Sequence, residues 1–317
     1  MTAVDLALAC MCDAAIGDPR SWPHPVRLMG LAIMWFEQRA RLLWRSPQEL
    51  RWAGIFLAVV LPLLSYAAGW LLILCATSIH DWIGRGVGVI LAATTLAWRD
   101  LMDHVGAVAR ALTAGVLPQA RQAVARIVGR DTETLTEVEE VRATVETIAE
   151  SASDGVIAPL LCLLLGGAPL AMAYKAVSTL DSMVGHRDER YQDFGWASAR
   201  LDDVVNWIPA RVTAGLFVLA SWPVFRRLDK TRQAWAMLLR DGMKHPSPNS
   251  GRPEAAMAGA LGVQLGGINR YDGVASVRPH LGDAREPLAP CHIAQARMMM
   301  TTAYLLAIVC SVVWLWL

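Results

Sequence analysis

The stretch GVIAPLLCLLLGGAPLAMAY, residues 155–174, decides the fold class because it runs for twenty positions without a charged residue. A helix needs about 20 apolar residues to cross roughly 30 Å of hydrocarbon. Three further runs approach this length, at 53–78, 206–225 and 299–317, and a run of 13 residues at 86–98 is too short to cross alone. The pattern predicts an all-α, polytopic integral membrane protein with about four to five membrane segments.

Long polar segments separate the apolar runs, at about 99–153, 175–205 and 226–297. They are predicted to be largely helical loops that contribute residues to a functional site. Within the first of them, Thr136 and Glu139 have the spacing of a capping box, which predicts a helix start. The whole chain, 1–317, is interpreted as a single integral membrane domain.

The composition agrees with a membrane protein and excludes one class of partner. Hydrophobic residues make up 55% of the chain, and 13 Trp stand against five Phe and five Tyr. Trp is enriched where a bilayer meets water, so lipid is an expected partner. The net charge of +1 provides no general electrostatic basis for binding nucleic acid.

Basic residues indicate the orientation. Arg226, Arg227, Lys230 and Arg232 follow the apolar run that ends at residue 225. Because cytoplasmic loops carry an excess of Lys and Arg, we expect a multi-pass protein of the cytoplasmic (inner) membrane with its active site toward the cytoplasm.

Simple alternation of spans conflicts with a single site, since it places the loops 175–205 and 226–297 on opposite sides of the membrane. Either one span is re-entrant, or the site lies within the membrane thickness between broken helices. The candidate for re-entry is 155–174, because Gly166, Gly167 and Pro169 interrupt it.

Acidic residues precede that run at helical spacing. Glu146, Glu150 and Asp154 are four residues apart and would share one helix face. Such a face is most often solvated, but here it leads directly into an apolar span. In that position, a role in binding Mg²⁺ or an ammonium group is as well supported as a solvated surface.

A second acidic group surrounds the next span. Asp202, Asp203 and Asn206 stand at its entry, with Asp181 upstream in the segment TLDSMVG, residues 179–185. Solvation of a helix end is the alternative. The nearby cation Arg200 favours binding of Mg²⁺ and phosphate.

Three polar loops add candidates, although a purely structural turn is as consistent with their composition. HPSPNSG, residues 245–251, contains His245, which could move protons near neutral pH, and Asn249, which could orient a phosphate or carboxylate. Arg27 in PHPVR could clamp an anion. Arg130 in GRDT, residues 129–132, precedes a helix whose amides could meet an anion.

Standard nucleotide motifs are missing from the sequence. Neither GxxxxGK[ST] nor a GxGxxG that follows a strand pattern occurs, and GxSxG and HExxH are also absent. Any nucleotide would therefore be bound by something other than a P-loop or a Rossmann turn.

Taken together, the segments resemble the membrane-bound adenosylcobinamide-phosphate synthase family of cobalamin biosynthesis. The resemblance extends from about residue 13 to about residue 273, and its main stretches are GDP (17–19), PHPVR (23–27), GRDT (129–132), ESASDGV (150–156), TLDSMVG (179–185), ARLDD (199–203) and HPSPNSGRPEA (245–255). Each stretch alone would be weak, whereas the set is highly specific.

The resemblance implies an ATP-dependent amide ligase. Adenosylcobyric acid would contribute a propionate carboxylate, and (R)-1-aminopropan-2-ol or its O-phosphate would contribute the amine. Phosphorylation of the carboxylate to an acyl phosphate, followed by attack of the amine, is the expected route, with ATP and Mg²⁺ required. Other corrinoid enzymes or a second copy of the chain are further expected partners.

Residue roles follow as hypotheses that the resemblance does not itself assign. Mg²⁺–ATP would be held by Asp181, Asp202 and Asp203, with Asn206 assisting. Lys175, Arg187 and Arg200 would neutralise phosphates, and Glu150 or Asp154 would meet the ammonium or a second Mg²⁺. His245 would accept the amine proton, Arg27 would bind an acidic group of the substrate, and Arg130 and Asn249 would contact ligand. All of these groups are expected to converge in one pocket.

Two other classes of function stay open at this point. One is an intramembrane Mg²⁺-dependent transferase that acts on a diphosphate substrate, because such enzymes carry aspartate-rich helices. The other is a corrinoid transporter or scaffold with broken helices around a midplane site, although the long polar loops and the lack of paired repeats speak against it.

Overall fold

The protein is described by a computed structural model that covers residues 1–18, 24–186, 188–271 and 273–317. Within these ranges the chain is almost entirely helical, which confirms the all-α class. The helices are α1 Ala3–Ile16, α2 Pro25–Leu43, α3 Pro47–Ile79, α4 Asp81–Ala93, α5 Trp98–Thr113, α6 Leu117–Val124, α7 Glu137–Ala152, α8 Ala158–Val184, α9 Trp196–Val205, α10 Trp207–Phe225, α11 Leu228–Asp241, α12 Gly251–Leu261 and α13 Cys291–Trp316.

Four helical stretches in the described part of the chain are long and apolar enough to cross a membrane, namely Pro47–Ile79, Glu137–Val184, Trp207–Phe225 and Cys291–Trp316. They contain the four runs predicted from sequence. The short run at 86–98 lies partly in α4, which has 13 residues and is too short to cross by itself. The protein is therefore a polytopic helical membrane protein.

Packing divides the chain into two compact units, each assembled from separated stretches of sequence. Unit 1 contains Met1–Ala97, Ala158–Asn206 and Cys310–Leu317. Unit 2 contains Trp98–Ile157 and Trp207–Val309. That 1–317 forms a single domain stays a prediction.

In unit 1, α2, α3 and α8 pack around a core that includes Ile33, Leu57 and Leu180. The interruption predicted in α8 is present at Gly167, whose φ of 67° and ψ of −164° break the helix. Glycine adopts this positive φ without the steric cost that a β-carbon would bring. Whether the segment re-enters the membrane stays a prediction.

In unit 2, α7 begins with the capping box that the sequence predicts. Thr136 N–H donates to Glu139 Oε2 at 2.8 Å, and Glu139 N–H donates to Thr136 Oγ1 at 3.4 Å. At its other end α7 continues into a π-helical turn, Ser153–Ile157. Such turns are rare and frequently occur at functional sites.

The polar segment 226–297 contains a β-hairpin that sequence reasoning did not predict. Its strands, β1 Leu265–Tyr271 and β2 Val274–Leu281, pair antiparallel, with Ile268 opposite Val277. The two glycines of LGGINRY hide the alternation typical of a strand. The Asp-Gly pair at 272–273 is a hairpin signal that could have revealed it.

Candidate functional site

A polar cavity of about 210 Å³ lies in unit 2, between α7, α12, the hairpin and the loop before residue 130. We call it the acid–base cavity. It is lined by six ionisable side chains and several neutral polar ones: Arg130, Glu146, Glu150, Asp154, Glu254, Arg278, Thr147, Ser151, Asn269 and Tyr271. Its wall is thus built from segments far apart in sequence, which α7, α12 and the two strands bring together by mutual packing.

The acidic stripe of α7 faces this cavity. Glu146 and Glu150 are one helical turn apart, and Asp154 follows on the π-helical turn. All three line the cavity, but their exposure differs: Glu146 is only 8% exposed, Asp154 is half-buried and Glu150 is exposed. The interpretation of the stripe as a solvated surface is therefore wrong for Glu146, whereas Glu150 is open to solvent at the edge of the cavity.

Glu146 ties the hairpin to α7. Its Oε2 lies 2.6 Å from Arg130 Nη2, and its Oε1 accepts a hydrogen bond of 2.8 Å from Gly266 N–H. Arg130 also donates through Nη1 to Asn269 Oδ1. Arg142 donates to the same oxygen at 3.0 Å. Two arginines, one carboxylate and one amide thereby form a closed network, in which Arg130 is already engaged.

The innermost acid is Glu254, in the first turn of α12 and only 3% exposed. Burial raises its pKa well above the usual value, and the negative charges of Glu146 and Glu150 raise it further. Arg278 and Arg130 favour the ionised form but do not outweigh these effects. These effects favour the neutral form of Glu254, and a cation that enters the cavity would favour the ionised form.

His245 contacts the cavity wall through Arg278. Ser247 N–H donates to His245 Nδ1 at 3.0 Å, while Arg278 Nη1 lies 2.9 Å from Nε2. Burial lowers the pKa of His245, and the charge of Arg278 lowers it further. A neutral imidazole has one unprotonated ring nitrogen. Because Nδ1 accepts from Ser247 N–H and Nε2 faces the Arg278 guanidinium, the lone pair does not point to an open position.

The loop that carries His245 also supports the acidic stripe. Ser250 Oγ donates to Glu150 Oε1 at 2.8 Å. Asn249 is buried in the same loop, directly before α12 begins at Gly251. The structure thus gathers Arg130, Glu150, Asp154, His245 and Asn249, all predicted from sequence, in unit 2.

The remaining predicted residues belong to unit 1. Asp181 and Lys175 are half-buried on α8, and Asp202 and Asp203 are half-buried on α9. Asn206 follows α9, is buried, and accepts a hydrogen bond of 2.8 Å from Tyr174 Oη.

Arg200 and Arg27 are exposed, the latter in the first turn of α2, and Arg187 lies outside the described residues. That the groups of both units converge in one pocket stays a prediction.

Gly185 explains why the segment TLDSMVG ends in glycine. Its N–H donates to Asp181 O at 2.7 Å, and a β-carbon at this position would collide with the Asp181 carboxylate. Only glycine leaves that carboxylate in its place.

No group of three or more His, Cys, Asp or Glu in the described part of the chain is arranged to hold a metal ion. Mg²⁺, however, is usually held by one or two protein carboxylates together with substrate phosphates and water. That Asp202 and Asp203 hold Mg²⁺ stays a prediction.

Comparison with known proteins establishes the family. A family profile described as CobD/Cbib protein matches residues 6–300. The chain belongs to this family. Proteins named cobalamin biosynthesis protein CobD are 47% identical in Geobacter metallireducens, over 96% of this chain and 94% of the relative, and 45% identical in Klebsiella pneumoniae, over 97% and 96%. A third, in Listeria monocytogenes, is 41% identical over 94% and 93%. No solved structure matches the chain.

Membership of the CobD/Cbib family confirms the resemblance drawn from the motifs and places the chain among cobalamin biosynthesis proteins. The sequence analysis did not predict four residues that line the cavity, namely Glu254, Asn269, Tyr271 and Arg278. Glu254 stands inside one of the quoted motifs, so its proximity to His245 was a usable signal. The other three lie in the hairpin, and no motif marks them.

Proposed function

We propose that the protein is an ATP-dependent amide ligase of cobalamin biosynthesis. It would join a propionate carboxylate of adenosylcobyric acid to the amine of (R)-1-aminopropan-2-ol or of its O-phosphate, giving adenosylcobinamide or its phosphate. The family assignment over nearly the whole chain supports the pathway. The acid–base cavity, with its buried carboxyl, carries the proposal for the reaction.

The size and charge of the cavity suit the amine donor better than the other reactants. At about 210 Å³ it lies below the roughly 300 Å³ at which pockets for drug-sized ligands begin. A nucleotide or a corrinoid is far larger than an amino alcohol. The carboxylates of the cavity attract the ammonium end of the amine donor. The guanidinium of Arg278 would bind a phosphate at the other end of the donor.

The chemistry has two steps. A carboxylate oxygen of the acid attacks the γ-phosphorus of ATP, and ADP leaves with the electron pair of the broken P–O bond. The neutral amine then attacks the acyl carbon, and phosphate leaves with the amine proton. Water must be kept away, because it would hydrolyse the acyl phosphate.

The residues of unit 1 are assigned to the nucleotide. Asp202 and Asp203, with Asp181, would hold Mg²⁺, which when bound offsets the charge of the phosphates. Lys175 and Arg200 would contact phosphate oxygens, as would Arg187, and Asn206 would orient its neighbours from its bond to Tyr174. Arg27 would meet an acidic group of the corrinoid.

We further propose that the protein resides in the cytoplasmic membrane with the site toward the cytoplasm. The basic residues Arg226, Arg227, Lys230 and Arg232 after α10 support this orientation. Proton acceptance by His245, and contacts with other corrinoid enzymes or a second copy, stay predictions.

Purified protein in detergent, incubated with adenosylcobyric acid, Mg-ATP and each amine donor in turn, tests the function. Amide product detected by mass spectrometry, with ADP formed in equal amount, is expected. Asp202→Asn should abolish it, while Asp229→Asn, the same change at the exposed pair with Arg227, should not. Amide formation without ATP, or normal turnover by Asp202→Asn, would contradict the assignment.

A further inference from the structure

Glu254 differs from the other acids of the cavity because its carboxyl has no hydrogen-bond partner among the residues that the structure describes. Glu146 binds Arg130 and Gly266 N–H, and Glu150 accepts from Ser250. The carboxyl of Glu254 is buried and lines the cavity, yet none of the described residues donates a hydrogen bond to it. Buried polar groups are almost always hydrogen-bonded. The Glu254 carboxyl is therefore available to bind a ligand that enters the cavity.

The charges that face Glu254 define what could enter. Glu146 and Glu150 face it from α7, Arg278 from β2, and Arg130 from the loop before α7. Arg130 is already paired with Glu146, and Arg278 contacts His245 and Tyr271. The side of the cavity shared by Glu150 and Glu254 therefore has an excess of acid, which favours a positively charged ligand.

An organic ammonium fits this place without a set of metal ligands. Among the described residues, the cavity has no group of three or more His, Cys, Asp or Glu arranged around one metal ion. A primary ammonium has three N–H donors and can bridge acceptors that lie further apart. The cavity is also large enough for a few carbon atoms besides the charged group.

We propose, on the basis of the amide-forming function above, that Glu254 binds the primary ammonium group of the amine donor and takes its proton. The ammonium R–NH₃⁺ gives one proton to the Glu254 carboxylate, which leaves R–NH₂ with a free electron pair and a neutral carboxylic acid. The nitrogen then attacks the acyl carbon, the bond from that carbon to the phosphate oxygen breaks, and phosphate leaves with the second proton lost by the amine. No oxidant, reductant or further reactant is involved.

The surroundings of His245 favour Glu254 as the acceptor. A neutral imidazole can take a proton only at its one unprotonated nitrogen, and in His245 the lone pair of Nδ1 already accepts from Ser247 N–H, while Nε2 faces Arg278. Burial and the neighbouring acids raise the pKa of Glu254, which makes it a stronger base than an ordinary carboxylate. Because burial and the neighbouring acids favour the neutral form of Glu254 in the empty cavity, we expect an arriving ammonium first to expel a proton to solvent.

Calorimetry on the full-length protein in detergent tests this without turnover. (R)-1-aminopropan-2-ol is titrated in two buffers of different ionisation enthalpy, and propane-1,2-diol serves as the uncharged probe. Near pH 7 the amine should bind with release of about one proton, since a neutral carboxyl must ionise to pair with it. The diol should not bind.

Three variants identify the source of the proton. Glu254→Gln should bind the amine roughly 30-fold more weakly or worse, as when one partner of a buried charge pair is removed, and should release no proton. Glu133→Gln, the same change at an exposed position, should match the wild type. His245→Asn should keep the proton release. If Glu254→Gln lowers the midpoint of thermal unfolding, Glu254→Asp, which retains a carboxyl, is measured in its place. Its proton release on binding of the amine then decides whether residue 254 is the source of the proton.

Turnover separates this inference from the function on which it rests. If amide forms, Glu254→Gln should lower kcat by about 10²- to 10⁴-fold, the usual contribution of a general base. Glu254-dependent proton release without any amide product would refute the ligase function and leave the ammonium site standing. Normal turnover or undiminished proton release by Glu254→Gln, or loss of proton release in His245→Asn, would overturn the role of Glu254.

Discussion

Two glutamates, Glu37 in unit 1 and Glu254 in unit 2, are buried to a similar extent but differ in their hydrogen bonding. Glu37 is 6% exposed and accepts hydrogen bonds from Arg41 at 2.8 Å and Arg190 at 2.9 Å. Glu254 is 3% exposed and none of the described residues hydrogen-bonds its carboxyl. A fully paired carboxylate holds segments together, whereas an unpaired one that lines a cavity is available to a ligand. Pairing rather than burial separates the two roles.

The largest effect on stability is expected at Glu146, which belongs to the cavity by position but resembles Glu37 in its pairing. Glu146→Gln would leave Arg130 without its counter-charge in the interior of unit 2. Breaking a buried ion pair in this way costs about 3–5 kcal/mol of unfolding free energy. Titration with SDS, followed by tryptophan fluorescence, measures it, with Glu133→Gln as the control. A loss below about 1 kcal/mol, typical of exposed pairs, would show that pairing at this site does not stabilise unit 2.

Arg278→Gln tests whether the residues around Glu254 bind a ligand rather than stabilise the fold. Within the described part of the chain, the Arg278 side chain hydrogen-bonds only with those of His245 and Tyr271, so stability should change little. A charge-assisted hydrogen bond to substrate contributes about 1.5–3 kcal/mol, so kcat/KM should fall by roughly 10- to 150-fold. The loss should be larger with the O-phosphate donor than with the amino alcohol. Arg285→Gln, at the exposed pair with Asp283, is the matched control. Equal losses with both donors would exclude a phosphate contact.

Glu37→Gln should differ from Arg278→Gln in the opposite sense: it should lower the stability and leave the turnover unchanged. The variant removes the charge that Arg41 and Arg190 share, and also weakens a contact of 3.5 Å from Tyr191 Oη. Hydrogen bonds to charged groups contribute about 1.5–3 kcal/mol, and we expect a loss near the lower end because Arg190 is largely exposed. Amide formation below the unfolding temperature should not change. Reduced turnover at unchanged stability would place Glu37 in the functional machinery and break the comparison.

The smallest effect is expected at Asp241, a buried acid of unit 2 that is fully paired. Burial by itself would raise the pKa of Asp241, but hydrogen bonds from Arg240, Lys244 and Gly282 N–H outweigh it and hold the pKa below the usual value. Asp241→Asn should cost about 0.5–1 kcal/mol at pH 7, because both cations are half-exposed.

The pH dependence of this variant follows from the sign of the shift. A carboxyl with a lowered pKa in the folded state stabilises the protein above its unfolded pKa of about 3.9 and loses that contribution as the pH falls further. The difference between wild type and Asp241→Asn should therefore be constant from about pH 7 to 5 and shrink below about pH 4. Unfolding measured at these pH values tests it, and a difference that grows in acid would contradict the pairing.

The parts of the candidate site that depend on residues close together in sequence could be predicted from the sequence. The spacing of Glu146 and Glu150 placed them on one helix face, and proline and glycine marked the loop at His245. Glu254 was within reach of the same motif, but its burial depends on how α12 packs against α7. Arg278 and Asn269 could not be found, because nothing local shows that a hairpin of mixed pattern lies against an acidic helix.

By itself, the sequence determined the helical membrane class, the four long apolar helices, the start of α7 at its capping box and the break at Gly167, because hydrophobic length, caps and glycine act over a few residues. Its motifs also determined the family. Only the tertiary structure decided that Glu37 and Glu146 are paired and that Glu254 lines a cavity with no hydrogen-bond partner among the described residues. Pairing depends on distances between segments far apart in the chain, and no local pattern encodes them.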